Sequence, residues 1–216
     1  MNALLVLGLT LLPTAFWFWF FYRRDRHPEP AWLLGRTFAW GLVAWVVAAA
    51  VQLSFQHNLP MAWVVVLTAV TEEGAKFLAA ATAARERDFD EPIDGLVYAV
   101  SAALGFAVLE NLAYGWAFGV AVAAWHGLIT TLAHALFSAP IGYGLSRWRF
   151  GGGRWWLLLG VLAGAALHVA FNGLLTGQGG WWSLLALAAT LGLMYWLTNT
   201  LYTRFAEHEP GRPGEV

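Results

Sequence analysis

Met61-Ala-Trp-Val-Val-Val-Leu-Thr-Ala-Val-Thr-Glu-Glu-Gly-Ala-Lys-Phe-Leu-Ala-Ala-Ala-Thr-Ala-Ala84 is long enough to span a bilayer, yet its middle holds Glu72, Glu73 and Lys76. A membrane helix needs about 20 largely apolar residues, and a charge at its centre costs roughly 2.5 to 3.5 kcal/mol even on the lenient insertion scale. These three groups therefore require partners or a task. On a helix Lys76 stands i+4 from Glu72 and i+3 from Glu73, so one cation faces two carboxylates and compensates about one of them. The surplus carboxylate, held in a low-dielectric interior, is a candidate for chemistry.

The rest of the chain has the same character. Of 216 residues 59% are apolar and 12% charged, about half the charge expected of a soluble domain. This is the composition of an integral membrane protein, an all-α polytopic bundle. A net charge of −1 gives no argument for nucleic acid, and the lack of cysteine excludes disulfides, thiolate chemistry and cysteine-ligated metal. Hydropathy predicts about seven spans, at 2–22, 32–54, 61–84, 94–117, 127–146, 155–176 and 181–203, within one transmembrane domain over 1–203. Residues 204–216 are left as a short tail. The first apolar stretch lacks a basic leader and reads as a retained span.

The connections alternate in charge. Arg23, Arg24, Arg26, Arg36, Arg85, Arg87, Arg147, Arg149, Arg154, Arg204 and Arg212 all fall on one side, while the connections at 55–60, 118–126 and 177–180 contain no Lys or Arg. The positive-inside rule then predicts an N-terminus outside and a C-terminus in the cytoplasm. Trp32, Trp148, Trp155, Trp181 and Trp182 mark span ends, where an amphipathic ring prefers the interface. The abundance of Arg, Ala, Gly and Trp suggests a bacterium with a GC-rich genome, and hence a multi-pass protein of the cytoplasmic (inner) membrane. In the turn 85–95, Asp90 or Glu91 is expected to cap a helix starting at Pro92, with Asp94 in its first turn.

Four consecutive spans carry polar stripes at four-residue steps, which stack on one helix face. They are Thr68, Glu72 and Lys76; Phe106, Glu110 and Tyr114; Thr130, His134, Ser138 and Gly142; and Gly160, Gly164, His168 and Asn172. Facing lipid would leave each polar group unsatisfied, so the stripes are expected to meet, with Gly160-x-x-x-Gly164 allowing close helix approach. Counted from the outer span ends, Glu72, Glu110, His134 and His168 lie about 10 to 18 Å below the outer surface. Lys76, Phe106, Asn111 and Tyr114 read as supports, and His27, His57, His126 and His208 as bystanders.

On these residues the chain resembles the PrsW family of intramembrane proteases and, more distantly, the CAAX-prenyl endopeptidase superfamily. The matching elements are Glu72-Glu-Gly-Ala-Lys76, Phe106-Ala-Val-Leu-Glu-Asn111, His134 within His-Ala-Leu-Phe-Ser, and His168-Val-Ala-Phe-Asn172. The turns Asp25-Arg-His-Pro-Glu-Pro30 and Asp90-Glu-Pro-Ile-Asp-Gly95 match as well. The wider superfamily has His where this chain has Glu110. The resemblance implies hydrolysis of membrane-tethered protein substrates such as anti-sigma factors.

Two assignments of the inventory stand side by side. In one, Glu72 activates water, Glu110 positions it, His168 and Asn172 donate to the oxyanion, and Glu73 pairs with Lys76. In the other, Glu110, His134 and His168 hold a zinc-like divalent metal and Glu72 or Glu73 is the base. A proton- or ion-coupled transporter is the rival function, but the two halves of the chain show no inverted repeat.

Overall fold

The computed structural model describes residues 2–25, 27–176 and 181–207. The expectations for Arg26, Arg212, His208 and the 177–180 connection lie outside this set, as does the ring of Trp182. The helices are α1 (Ala3–Tyr22), α2 (Ala31–Gln52), α3 (Met61–Ala81), α4 (Asp94–Phe118), α5 (Val120–Trp125), α6 (Thr131–Arg149), α7 (Trp155–Thr176) and α8 (Trp181–Glu207). A π-helical turn, His126–Thr130, joins α5 to α6. Among the described residues six runs are long and apolar enough to cross a membrane. The seventh, α3, has the length, but every stretch of it long enough to span contains Glu72, Glu73 and Lys76.

Several boundaries differ from the sequence expectation. The fifth span begins at Val120, not 127, so the outer segment around 115–128 is helical except at Gly119. No Pro or charge interrupts that stretch, and Gly119 at φ 92° supplies the left-handed turn that reverses the chain in one residue. The third helix ends at Ala81, and α8 runs to Glu207, into the predicted tail. The expected cap of α4 is also reversed: its first residue is Asp94, the residue before it makes no side-chain cap, and Asp94 Oδ2 accepts the Glu91 N–H at 2.7 Å. Pro92 precedes the helix as part of the turn.

Helix α4 is the axis of the bundle, with 78% of its span buried. Its sequence explains this, since Ala, Gly and Ser recur on all its faces and let neighbours close in. A Cβ on Gly105 would lie 2.1 Å from the Phe38 carbonyl oxygen, and one on Gly41 would lie 2.1 Å from that of Ala102, so α2 and α4 touch backbone to backbone. On the other flank a Cβ on Gly160 or Gly164 would meet the Pro140 or Phe137 carbonyl oxygen at 2.6 and 2.7 Å. The small-residue motif thus seats α7 on α6 as its spacing predicted. Helices α2, α3, α7, α6 and α4 pack in sequence as a closed ring, with α1 outside against α4 and α5, and α8 outside against α6 and α7.

Polarity is arranged inside out. Leu12, Leu78 and Phe118 are exposed, while Glu72, Glu73, Lys76, Asn111, His134 and His168 are buried. That is the distribution lipid demands. At the arginine-bearing end the two acidic turns meet: Asp25, Glu29 and Asp94 bring carboxylate oxygens within 4.8 Å of one another, Tyr98 donates to Glu29, and His27 pairs with Glu91 at 2.7 Å. Burial pushes the Glu29 carboxyl up to about 7, against the opposing hydrogen bond from Tyr98. Arg36 bridges α2 to the turn after α3 through Glu86 at 2.7 Å and the Thr82 carbonyl at 3.0 Å.

Candidate active site

The ring encloses a cavity of about 450 Å³ that reaches Gln56 and Leu175 at the arginine-free end. Glu72, Glu110, His134, His168 and Asn172 all line it. Four helices thus deliver their stripes to one space, because each stripe is the polar face that could not be turned to lipid.

Within α3, the two adjacent acids point about 100° apart and meet different surroundings. Glu73 is fully buried and faces inward; its Oε1 accepts Lys76 Nζ at 2.5 Å and His168 Nδ1–H at 2.8 Å. Lys76 therefore pairs with the acid at i+3, and Glu72 is the surplus carboxylate. Glu72 Oε1 accepts the Gln52 side-chain N–H at 3.0 Å, while its buried Oε2 has no hydrogen-bond partner and lies 3.9 Å from His168 Nε2.

Lys76 fixes a second imidazole. Its Nζ lies 3.0 Å from His134 Nδ1, and an ammonium only donates, so Nδ1 accepts. The ring proton then sits on Nε2 and is donated to Glu110 Oε2. The two histidines are thus held in opposite tautomers. His168 carries its proton on Nδ1, against Glu73, and turns a lone pair on Nε2 towards Glu72; His134 turns a proton towards Glu110.

Aromatic rings complete the floor. Phe106, a predicted support, lies under Lys76 with its centroid 4.9 Å from Nζ. Phe137 stacks on His168 at 4.6 Å and 15°, holding the imidazole plane. Asn111 does not bond Glu110. It takes an O–H from Thr130 at 2.9 Å and donates to Thr131 at 2.7 Å, which pins α4 to the π turn.

His126, expected in an outer connection away from the site, is placed at the cavity wall. It stacks on Tyr114 at 4.1 Å and belongs to the π turn, a feature frequent at functional sites. His27 and His57 lie away from the cavity lining, His57 beside Gln56 at 3.2 Å. Sequence reasoning also missed Gln52 and Phe137. Gln52 had a signal, the one amide of its span, set in the last turn after an apolar run, whereas a Phe in a membrane helix has none.

A lipid-facing exterior around buried carboxylates, imidazoles and an amide in a cavity open to water is the constitution of an intramembrane hydrolase. The model of the PrsW family of intramembrane metalloproteases matches residues 29–199. The protease PrsW of Geobacillus kaustophilus is 31% identical over 74% of this chain and 74% of its own length. That of Shouchella clausii is 30% identical over 78% and 82%, and that of Bacillus subtilis 37% identical over 41% and 42%. No solved structure matches. The chain belongs to the PrsW family, and it is a multi-pass intramembrane protease.

Proposed function

We propose that the cavity hydrolyses a peptide bond of a membrane-tethered protein substrate, near the outer end of the substrate's membrane segment, in the cytoplasmic membrane of a bacterium. The cavity's reach to Gln56 and Leu175 supports this, since it gives water a path from the arginine-free side. An anti-sigma-factor-like substrate and the kinship with CAAX-prenyl endopeptidases belong to the same proposal.

The family name implies a metal, and the donor chemistry fits one. Among the residues lining this cavity, Glu72, Glu110 and His134 bring donor atoms within 4.8 Å of one another. We nonetheless choose Glu72, Glu110 and His168 as the residues that would hold the ion. His134 offers Glu110 a proton rather than a lone pair, because Lys76 occupies its other nitrogen. His168 has the arrangement typical of a metal-binding imidazole, with one ring N–H on a carboxylate and the other nitrogen open. When bound, a zinc-like ion supplies Lewis acidity and lowers the pKa of water.

The chain's own residues do the remainder. Glu73 orients His168, and Lys76 neutralises Glu73 while setting the His134 tautomer. His134 positions Glu110. The proton leaving the attacking water and later reaching the leaving amine moves through carboxylate oxygens of Glu72 or Glu110, the basic groups of the cavity. The Asn172 amide, one turn beyond His168, is the oxyanion donor.

The single observation carrying this reading is the unpartnered, buried Glu72 Oε2 facing His168 Nε2 at 3.9 Å, with Glu73 behind the ring. The test is metal content by mass spectrometry alongside cleavage of a membrane peptide. Glu72→Gln and His168→Ala are expected to lose both metal and cleavage, whereas His134→Ala retains metal and loses cleavage. Full cleavage by metal-free protein would sink the metal reading, and metal lost in His134→Ala but kept in His168→Ala would invert the ligand assignment.

A further inference from the structure

A second groove lies on the other face of α6 and α7. Leu136 and Leu167 line it, whereas their neighbours Phe137 and His168 line the catalytic cavity, so the two spaces occupy opposite sides of the same helix pair. The groove, about 510 Å³, is walled by apolar groups of α6, α7 and α8 such as Pro140, Ala163 and Leu197. At the arginine-bearing end it runs into a second cavity of about 500 Å³ that includes Ser146, Arg147 and Arg204. Tyr143, Leu201 and Arg204 line both, which makes them one continuous slot.

The slot has two chemically distinct ends. Among the described residues, neither part is lined by an Asp or Glu. Arg147 is exposed, its guanidinium lies 5.1 Å over the Trp156 ring, and its side chain has no ion pair or hydrogen bond among the described residues. Tyr143 stands at the junction, edge-on to Trp156 at 5.5 Å and stacked on Phe205 at 5.5 Å. Helix α8, the outer wall, is only 17% buried along its span.

We propose that this slot binds an anionic phospholipid of the cytoplasmic leaflet, with an acyl chain between α6, α7 and α8 and the phosphate at Arg147 and Arg204. Charge complementarity selects the occupant. The slot's basic end lies at the side that the positive-inside rule assigns to the cytoplasm, where lipid headgroups are anionic and basic pockets between membrane helices hold them. A substrate segment fits less well, because α6 and α7 separate the slot from the catalytic cavity.

The experiment uses the full chain in neutral detergent, titrated with phosphatidylglycerol, phosphatidylcholine or glycerol 3-phosphate. Retained lipid is read by native mass spectrometry and stability by Tm. Saturable retention of phosphatidylglycerol with a rise in Tm is expected, and neither from the other two. The double variant Arg147→Gln/Arg204→Gln is expected to weaken retention by about tenfold or more, the effect of losing two basic contacts. Ala163→Phe fills the groove without touching a charge and is expected to do the same, so it decides the matter if the double variant does not accumulate. Equal retention of both phospholipids, retention of glycerol 3-phosphate alone, undiminished binding in the variants, or displacement of the lipid by a substrate membrane peptide would each overturn the proposal.

Discussion

Replacing Lys76 by Met isolates the ion pair beneath the site. Lys76 Nζ lies 2.5 Å from Glu73 Oε1, and both side chains are 0% exposed. Methionine keeps the stem's length and volume but leaves a buried carboxylate without its cation, a loss worth about 3–5 kcal/mol. The His168 Nδ1–H still donates to the same oxygen at 2.8 Å, so the expected loss lies at the lower end of that range, about 3 kcal/mol. Adding Glu73→Gln removes the orphaned charge while leaving an amide oxygen for the His168 N–H. The double variant is therefore expected to recover about 2 kcal/mol, a coupling within the range for contacting residues. The assay is reversible unfolding in bicelles, read with cleavage of a membrane peptide. Cleavage should stay low in both variants, because His134 has lost the ammonium that fixes its tautomer. Additive single effects, or a double variant no more stable than Lys76→Met, would refute the reasoning.

Further outcomes follow from other contacts. Gln52→Leu removes the N–H donated to Glu72 at 3.0 Å, and is expected to lower metal affinity or cleavage about 10- to 100-fold, as for other residues that orient a ligand, with stability little changed. Glu29 titrates at about 7 in the fold against an ordinary 4.5, so the folded state binds the extra proton between those values and stability falls as pH rises through that window. Glu29→Gln should flatten the dependence of Tm on pH there, and an unchanged slope would reject the attribution. Gly105→Ala drives a Cβ to within 2.1 Å of the Phe38 carbonyl and is expected to cost about 1–3 kcal/mol in bicelle unfolding; a neutral result would mean that α2 and α4 are not in backbone contact. A C-terminal reporter that works only in the cytoplasm should be active, and an inactive one would reverse the assigned orientation.

Much of the site was legible because lipid forbids accidental polarity. A Glu, His or Asn within a membrane span must face another polar group, so four-residue stripes predicted which residues converge. Small residues at regular spacing likewise announced a close helix contact on α7, which the fold makes with α6. The misses have physical causes. His126 was assigned to a loop because no helix was expected to start at Val120; Gly119 reverses the chain alone, and the π turn then brings His126 to the cavity wall. The cap of α4 was read backwards because Asp94 can serve a neighbouring backbone N–H as readily as Glu91 can, and sequence does not rank such near-equal partners.

Composition and periodicity alone determined that this is a helical membrane protein, which face of four of its helices turns inward, and that one buried acid exceeds the cation available to it. Those properties depend on transfer free energy and helical repeat, both local to each segment. Only the tertiary structure decided that Lys76 takes Glu73 and leaves Glu72, that His134 and His168 hold opposite tautomers, and that Gln52 and Phe137 belong to the site. Each of these depends on which atom lies within about 3 to 5 Å across a helix interface, a distance set by packing of the whole bundle and written in no single stretch of sequence.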